Sequence, residues 1–83
     1  MGDAVVGITT SGRSENVLRG LKAAKDKGAV TIALCGKQGL TGAEADHMVA
    51  VPSEEGAFIQ EVHLMLIHVW CIAVDATVKA GGL

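Results

Sequence analysis

Aromatic side chains are nearly missing from this chain, which has one Trp, one Phe and no Tyr among 83 residues. Apolar residues still make up 49% of it, so any core must be built from Ala, Val, Leu and Ile. No charge sign dominates: seven Lys and Arg are scattered among nine Asp and Glu, for a net charge of −2. That balance gives no electrostatic basis for binding nucleic acid or a membrane surface. Cysteine occurs only at Cys35 and Cys71, without CxxC spacing, which argues against a disulfide or zinc site and for buried, reduced thiols in a cytoplasmic protein. The start, Met1-Gly2-Asp3, lacks the basic region of a secretory signal. The longest greasy stretch, Leu64 to Val74, contains His68 and runs into Asp75, short of the roughly 18 apolar residues of a membrane span. Repeats and low-complexity segments are also missing. A chain this short buries only about 60% of its unfolded surface, so without a partner its stability is expected to be marginal.

What is present begins with an apolar run, Ala4-Val5-Val6-Gly7-Ile8. It is followed by Thr9-Thr10-Ser11-Gly12-Arg13-Ser14 and then by a helical pattern. This reads as strand, hydroxyl-rich turn, helix. The first N–H groups of a helix have no intrahelical partner and carry about half a positive charge, so they favour an anion. The hydroxyls of Thr9, Thr10, Ser11 and Ser14 beside such a terminus suit a phosphate cradle. They equally suit a structural turn in which Ser11 or Ser14 caps the helix. Neither a Walker loop nor a dinucleotide-binding glycine fingerprint is present.

From Asn16 to Lys27, Val17, Leu18, Leu21 and Ala24 form one stripe, which predicts an amphipathic helix ended by Gly28. Ala29 to Cys35 is a nearly continuous, β-branched run suited to a strand buried on both faces. A strand, a helix and a second strand at this spacing imply a right-handed crossover and two adjacent parallel strands. Gly36 to Gly42 is a glycine-punctuated connection, with a short helix expected over Thr41 to Ala45. His47 to Val51 gives a third strand, stopped by Pro52, and places His47 at a strand edge. Ser53 or the acids after it are positioned to start a last helix, Ala57 to Lys79. That helix is apolar nearly all round, so it requires cover on more than one side, and three strands cannot supply it. Ala80 to Leu83 reads as a frayed tail.

Two segments together resemble a known family. Gly2 through Leu18 is similar to the "GD-hydrophobic-IS-TSGNS-x-NV" signature of sugar isomerase (SIS) domains, phosphoheptose isomerase branch, with Arg13 standing where the signature has Asn. Val51-Pro52-Ser53, Ile59-Gln60-Glu61-Val62-His63-Leu64 and His68 are similar to that branch's "VPS…IQE-x-H…H". The resemblance spans nearly the whole chain but only the second half of a family member. The first half's "CGNGGS"-like loop, and its helix with a His and the catalytic Glu, have no counterpart here, so a partial SIS domain is expected over residues 1–83.

The resemblance implies an α/β half-domain with three parallel strands and flanking helices, derived from an isomerase that converts sedoheptulose 7-phosphate to D-glycero-D-manno-heptose 7-phosphate. It assigns the substrate phosphate to Thr9, Thr10, Ser11 and Ser14, and acid/base chemistry to His68. In zinc-binding members it also makes Gln60 and His68 metal ligands, although these two lie about 12 Å apart along a helix. Taken without the resemblance, a lone His in an apolar stretch is more often a hydrogen-bonded core residue. Glu61 reads as a solvated carboxylate, and His63 receives no role. Arg13 is either a bidentate phosphate contact or solvent-exposed. Family members are homo-oligomers with active sites near subunit interfaces, so a second copy, or a chain supplying the first half, is the expected partner. Two further classes stay open: a non-catalytic SIS interaction module, of the kind that associates with a replication initiator, and a sugar-phosphate sensor.

Overall fold

The computed structural model describes residues 3–41 and 44–82. Its elements run β1 (Ala4–Ile8), α1 (Glu15–Asp26), β2 (Val30–Cys35), β3 (His47–Ala50) and α2 (Gly56–Lys79). The strands form one parallel sheet in the order β1-β2-β3, with Ala4 opposite Val30, Ile8 opposite Leu34, Ile32 opposite His47 and Cys35 opposite Ala50. The most apolar strand is the central one. Ala33, Leu34 and Cys35 of β2 are fully buried, while β1 and β3 are edges. The fold class matches the sequence expectation, and the boundaries differ from it by only one or two residues.

Alternation along β1 separates two layers. Gly7 faces α1, where a Cβ would lie 2.9 Å from Leu21, so this glycine lets the helix sit close on the sheet. Val6 and Ile8 face the other way and, with Ile67, Trp70, Cys71, Val74 and Val78 of α2, line an apolar groove of about 580 Å³. Gly28, with φ of 85°, ends α1. Its N–H donates to Lys25 O and that of Ala29 to Ala24 O, both at 3.0 Å, the paired bonds of a Schellman cap. α2 closes with the same pair, Gly81 N–H to Val78 O and Gly82 N–H to Thr77 O, each 2.9 Å. Residues 80–82, in the stretch expected to fray, carry the bonds of this cap, and Leu83 lies outside the described residues.

Two further expectations change. Thr41, Glu44 and Ala45 are not helical, and the rest of that expected helix falls on residues 42–43, outside the described residues. Cys35 is buried as expected but Cys71 is exposed, on the wall of the open groove between α2 and β1. As its all-round apolarity implied, the three strands leave most of α2 uncovered. Only Ile59 and His63 of that helix are buried, while Leu64, Met65, Val69 and Ile72 are 54–70% exposed. By length and composition α2 could also cross a membrane, a reading that the sequence analysis disfavoured. Its buried face against β2 and its polar Gln60, Glu61, His68 and Asp75 suit a helix covered by protein instead.

Asp46, just before β3, locks the sheet. Its Oδ2 accepts from Thr31 N–H (2.8 Å) and Thr31 Oγ1 (3.2 Å), and its own N–H donates back to Thr31 Oγ1 (3.0 Å). The Thr31 backbone bond, then the Thr31 hydroxyl, with smaller help from Lys25 and His47, hold the Asp46 carboxyl below its ordinary value. A carboxyl depressed on folding adds stability that is present above its unfolded value of about 3.9 and is lost as pH falls through the folded value. Asp46→Asn is therefore expected to lower the urea midpoint at neutral pH and to leave a shallower acid limb. An unchanged acid limb would show that other carboxyls set it.

Candidate functional site

In a parallel sheet every strand ends on the same side, and ligands bind along that edge. Here the three connections that leave it, Thr9–Ser14 after β1, Gly36–Thr41 after β2 and Pro52–Glu55 after β3, enclose a cavity of about 600 Å³. Its walls are Thr10, Ser11 and Arg13 from the first, Lys37, Gln38 and Thr41 from the second, and Ser53, Glu54 and Ile59 from the third and the start of α2.

Backbone bonds tie the connections together. Thr41 N–H donates to Gly12 O (2.9 Å) and Lys37 N–H to Ser53 O (3.2 Å). Gly12 has φ of 72°, and a Cβ there would lie 1.7 Å from Gly39 O, so only glycine lets turn and loop touch.

Within the turn the four hydroxyls divide. Thr9 is buried, donates to Ser14 Oγ (3.0 Å) and accepts the Gly12 N–H (3.1 Å), so it shapes the turn from beneath. Ser14 is the N-cap residue of α1 yet makes no side-chain cap. The first N–H groups of α1 are thus left without a capping side chain, as an anion seat requires. Thr10 and Ser11 stand on the cavity wall, and Ser11 Oγ also accepts the Arg13 N–H (3.1 Å).

Gln60 and His68 are not brought to this cavity. Both are exposed on α2, and His68, nine residues after buried Ile59, lies about half a turn round the helix from it. It sits amid Leu64, Met65 and Ile72 on the uncovered face. Two donors some 12 Å apart along the helix axis do not form a tetrahedral metal site. Among the described residues no three His, Cys, Asp or Glu side chains converge. The zinc that the resemblance implies therefore does not fit the donors of this chain alone.

Two features escaped the sequence reading. His63 is buried, with Nε2 2.9 Å from Cys35 O. A carbonyl only accepts, so Nε2 carries the proton, and Nδ1 has no partner among the described residues. The ring wedges α2 against the end of β2. Lys37 and Gln38 were hidden in what read as an ordinary glycine loop. The signal available was topological: a connection leaving the same sheet edge as the hydroxyl turn must flank it. Cys35 lies buried at the end of β2, and that burial pushes its thiol up.

Comparison with known proteins agrees with the fold. The SIS domain model matches residues 1–75. A phosphoheptose isomerase of Solidesulfovibrio magneticus is 51% identical over 73 residues, covering 88% of this chain and 36% of that protein. One from Aquifex aeolicus is 53% identical over 78 residues, covering 93% and 41%. Among solved structures, the phosphoheptose isomerase of Neisseria gonorrhoeae superposes with a TM-score of 0.76 at 40% identity, covering 89% of this chain and 43% of that one. That of Francisella tularensis gives 0.79 at 35% identity, covering 92% and 45%. The chain thus spans less than half the length of these relatives.

Proposed function

Because the chain belongs to the SIS domain family, we propose that it binds a sugar phosphate at the C-terminal edge of its sheet, as the second-half portion of a phosphoheptose-isomerase-like enzyme. The observation that carries this is the cavity itself. The Thr10 and Ser11 hydroxyls and the cations Arg13 and Lys37 line a space large enough for a phosphorylated chain of several carbons, and Arg13 directly precedes Ser14, the N-cap residue of α1. Thr9 and Ser14 serve the same end by holding the turn in shape.

In an aldose–ketose isomerisation a proton moves between adjacent carbons through an enediol, and an imidazole that titrates near neutral pH suits that transfer. His68 would supply it. Since His68 lies on the uncovered face of α2, away from its own chain's cavity, it would act on a ligand held by a neighbouring subunit. The second group needed to serve the oxygens has no counterpart in this chain, so the isolated chain is expected to bind ligand without turning it over. Assaying sedoheptulose 7-phosphate checks this, and turnover that His68→Ala abolishes would overturn it. Binding itself is checked by calorimetry with inorganic phosphate, where Ser11→Ala is expected to cost about tenfold in affinity.

A sugar-phosphate sensor is the second reading, favoured by one observation: the hydroxyl-lined cavity is formed within this chain while His68 lies away from it. Affinity that depends on Ser11 but is indifferent to His68, in an assembly that never shows turnover, selects the sensor. Two free cysteines suit a reducing compartment in either case.

A further inference from the structure

His63 is 2% exposed, and its ring uses one nitrogen only. Nε2–H donates to Cys35 O at 2.9 Å, while Nδ1 is closed off from solvent and has no partner among the described residues. Cys35 O also accepts the Val51 N–H at 3.0 Å. One carbonyl therefore ties together the end of β2, the residue that follows β3 and the start of α2.

The next residue, Gly36, is where the connections around the cavity meet. A Cβ there would lie 2.6 Å from Ile59 Cδ1, 3.0 Å from Thr10 O and 3.4 Å from Ser53 O. Ile59 stands one turn before His63, is buried, and forms part of the cavity wall. These two are the buried residues of α2, so they seat the helix on the strand ends.

The neutral and charged rings fit this place differently. A bare lone pair at Nδ1 is tolerated, but a proton there adds a buried positive charge and a donor without an acceptor. Water reaches that donor only if α2 lifts. The neighbouring elements do not supply the acceptor. β1 has no titratable side chain, β2 has only Cys35, whose thiol burial pushes up and keeps neutral, and β3 has only His47, exposed and opposite Ile32. The connections carry Arg13, Lys37, Glu54 and Glu55, with Glu54 accepting a bond from Gln38 Nε2 at 3.0 Å. Near His63, α2 itself carries Glu61 and His68, both exposed. None of these groups bonds Nδ1.

We propose that His63 is an acid-released latch: its neutral ring seats α2 and Ile59 on the strand ends, and a proton on Nδ1 lifts the start of the helix and opens the cavity wall. The latch needs no ligand in the cavity to operate. An ordinary imidazole is neutral above about pH 6.5, so the seated form is favoured there and loses its advantage as pH falls below that value. Asp46, held below the ordinary carboxylate value, titrates outside this window.

The test is amide hydrogen exchange from about pH 7.5 to about pH 5.5, read as protection relative to an unstructured chain, for the full chain and for His63→Gln. Gln keeps an N–H donor for Cys35 O but does not titrate. In the unaltered chain, protection of the amides from Ile59 to Ile67 is expected to fall about tenfold over this range while that of β2 holds. His63→Gln is expected to stay seated and to show no fall. A flat profile in the unaltered chain, an equal fall in His63→Gln, or a joint loss of protection in β2 and α2 overturns the latch. Should circular dichroism show that His63→Gln does not fold, side-chain nitrogen NMR of the unaltered chain decides. The Nε2–H tautomer, with proton uptake in step with lost protection, supports the latch; the Nδ1–H tautomer, or uptake without lost protection, overturns it.

Discussion

Gly12→Ala is expected to abolish phosphate binding and to destabilise the chain by on the order of 3 kcal/mol. Two costs combine. The backbone at Gly12 is left-handed, with φ of 72°, which an L side chain adopts at a penalty of about 1–2 kcal/mol. A Cβ there would also sit 1.7 Å from Gly39 O and 2.8 Å from Gly39 C. These are backbone atoms, and no rotamer change can move them aside. The Gly36–Thr41 loop must retreat, breaking the Thr41 N–H bond to Gly12 O and carrying Lys37 and Gln38 away from the turn. Urea denaturation and calorimetry with inorganic phosphate measure both effects. Gly20→Ala is the control: this glycine is in the middle of α1 with open space where its Cβ would go, so the change should stabilise by about 0.5–1 kcal/mol. A Gly12→Ala chain that binds phosphate normally would mean that the contact between turn and loop has no part in the site.

The second large effect concerns α2. Phe58, Leu64, Met65, Val69 and Ile72 are 54–70% exposed on one helix of a chain with few buried residues of its own. An apolar surface of this extent drives association in water at about 25 cal/mol per Å² covered. The free edge of β1 and the groove beside Trp70 add to it. The chain is therefore expected to sediment as a discrete self-assembly at micromolar concentration. Leu64→Glu with Ile72→Glu is expected to convert it to a monomer, because the new charges would have to be desolvated in the contact. Exposed Cys71 gives an independent readout: it should label slowly with a thiol reagent in the assembly and quickly in the double variant, while Cys35 stays protected in both. A monodisperse monomer of the unaltered chain contradicts the assembly. Partition into detergent micelles in place of a discrete oligomer would show that the length and apolarity of α2 serve a membrane instead.

Where the sequence was legible, the information was local. The β-branched run of β2, the apolar stripe of α1, Gly28 and Pro52 each act on their immediate neighbours in the chain, so element types and the parallel order could be read with boundary shifts of one or two residues. The turn of Thr9 to Ser14 was legible for the same reason, since a helix terminus and its hydroxyls are contiguous. The division of labour within that turn was not. That Thr9 is buried and spends its hydroxyl on Ser14 and Gly12 depends on how β1 is covered. Cys71 was misjudged because the lack of CxxC spacing argues against a metal site or disulfide but does not determine burial, which depends on what packs on that side of α2.

The sequence by itself determined the family, the three-stranded α/β architecture, the hydroxyl turn at the head of α1, and a last helix too apolar to stand alone. Periodicity, branching and turn chemistry are properties of short stretches, and they survive without knowledge of the rest. Only the tertiary structure decided that Lys37, Gln38 and Glu54 face Thr10, Ser11 and Arg13 across one cavity, that His63 wedges α2 to Cys35, and that Gln60 and His68 stand away from that cavity. Those outcomes depend on strand order and helix rotation, which bring residues tens of positions apart onto one edge and set Ile59 and His68, nine residues apart, on opposite sides of α2.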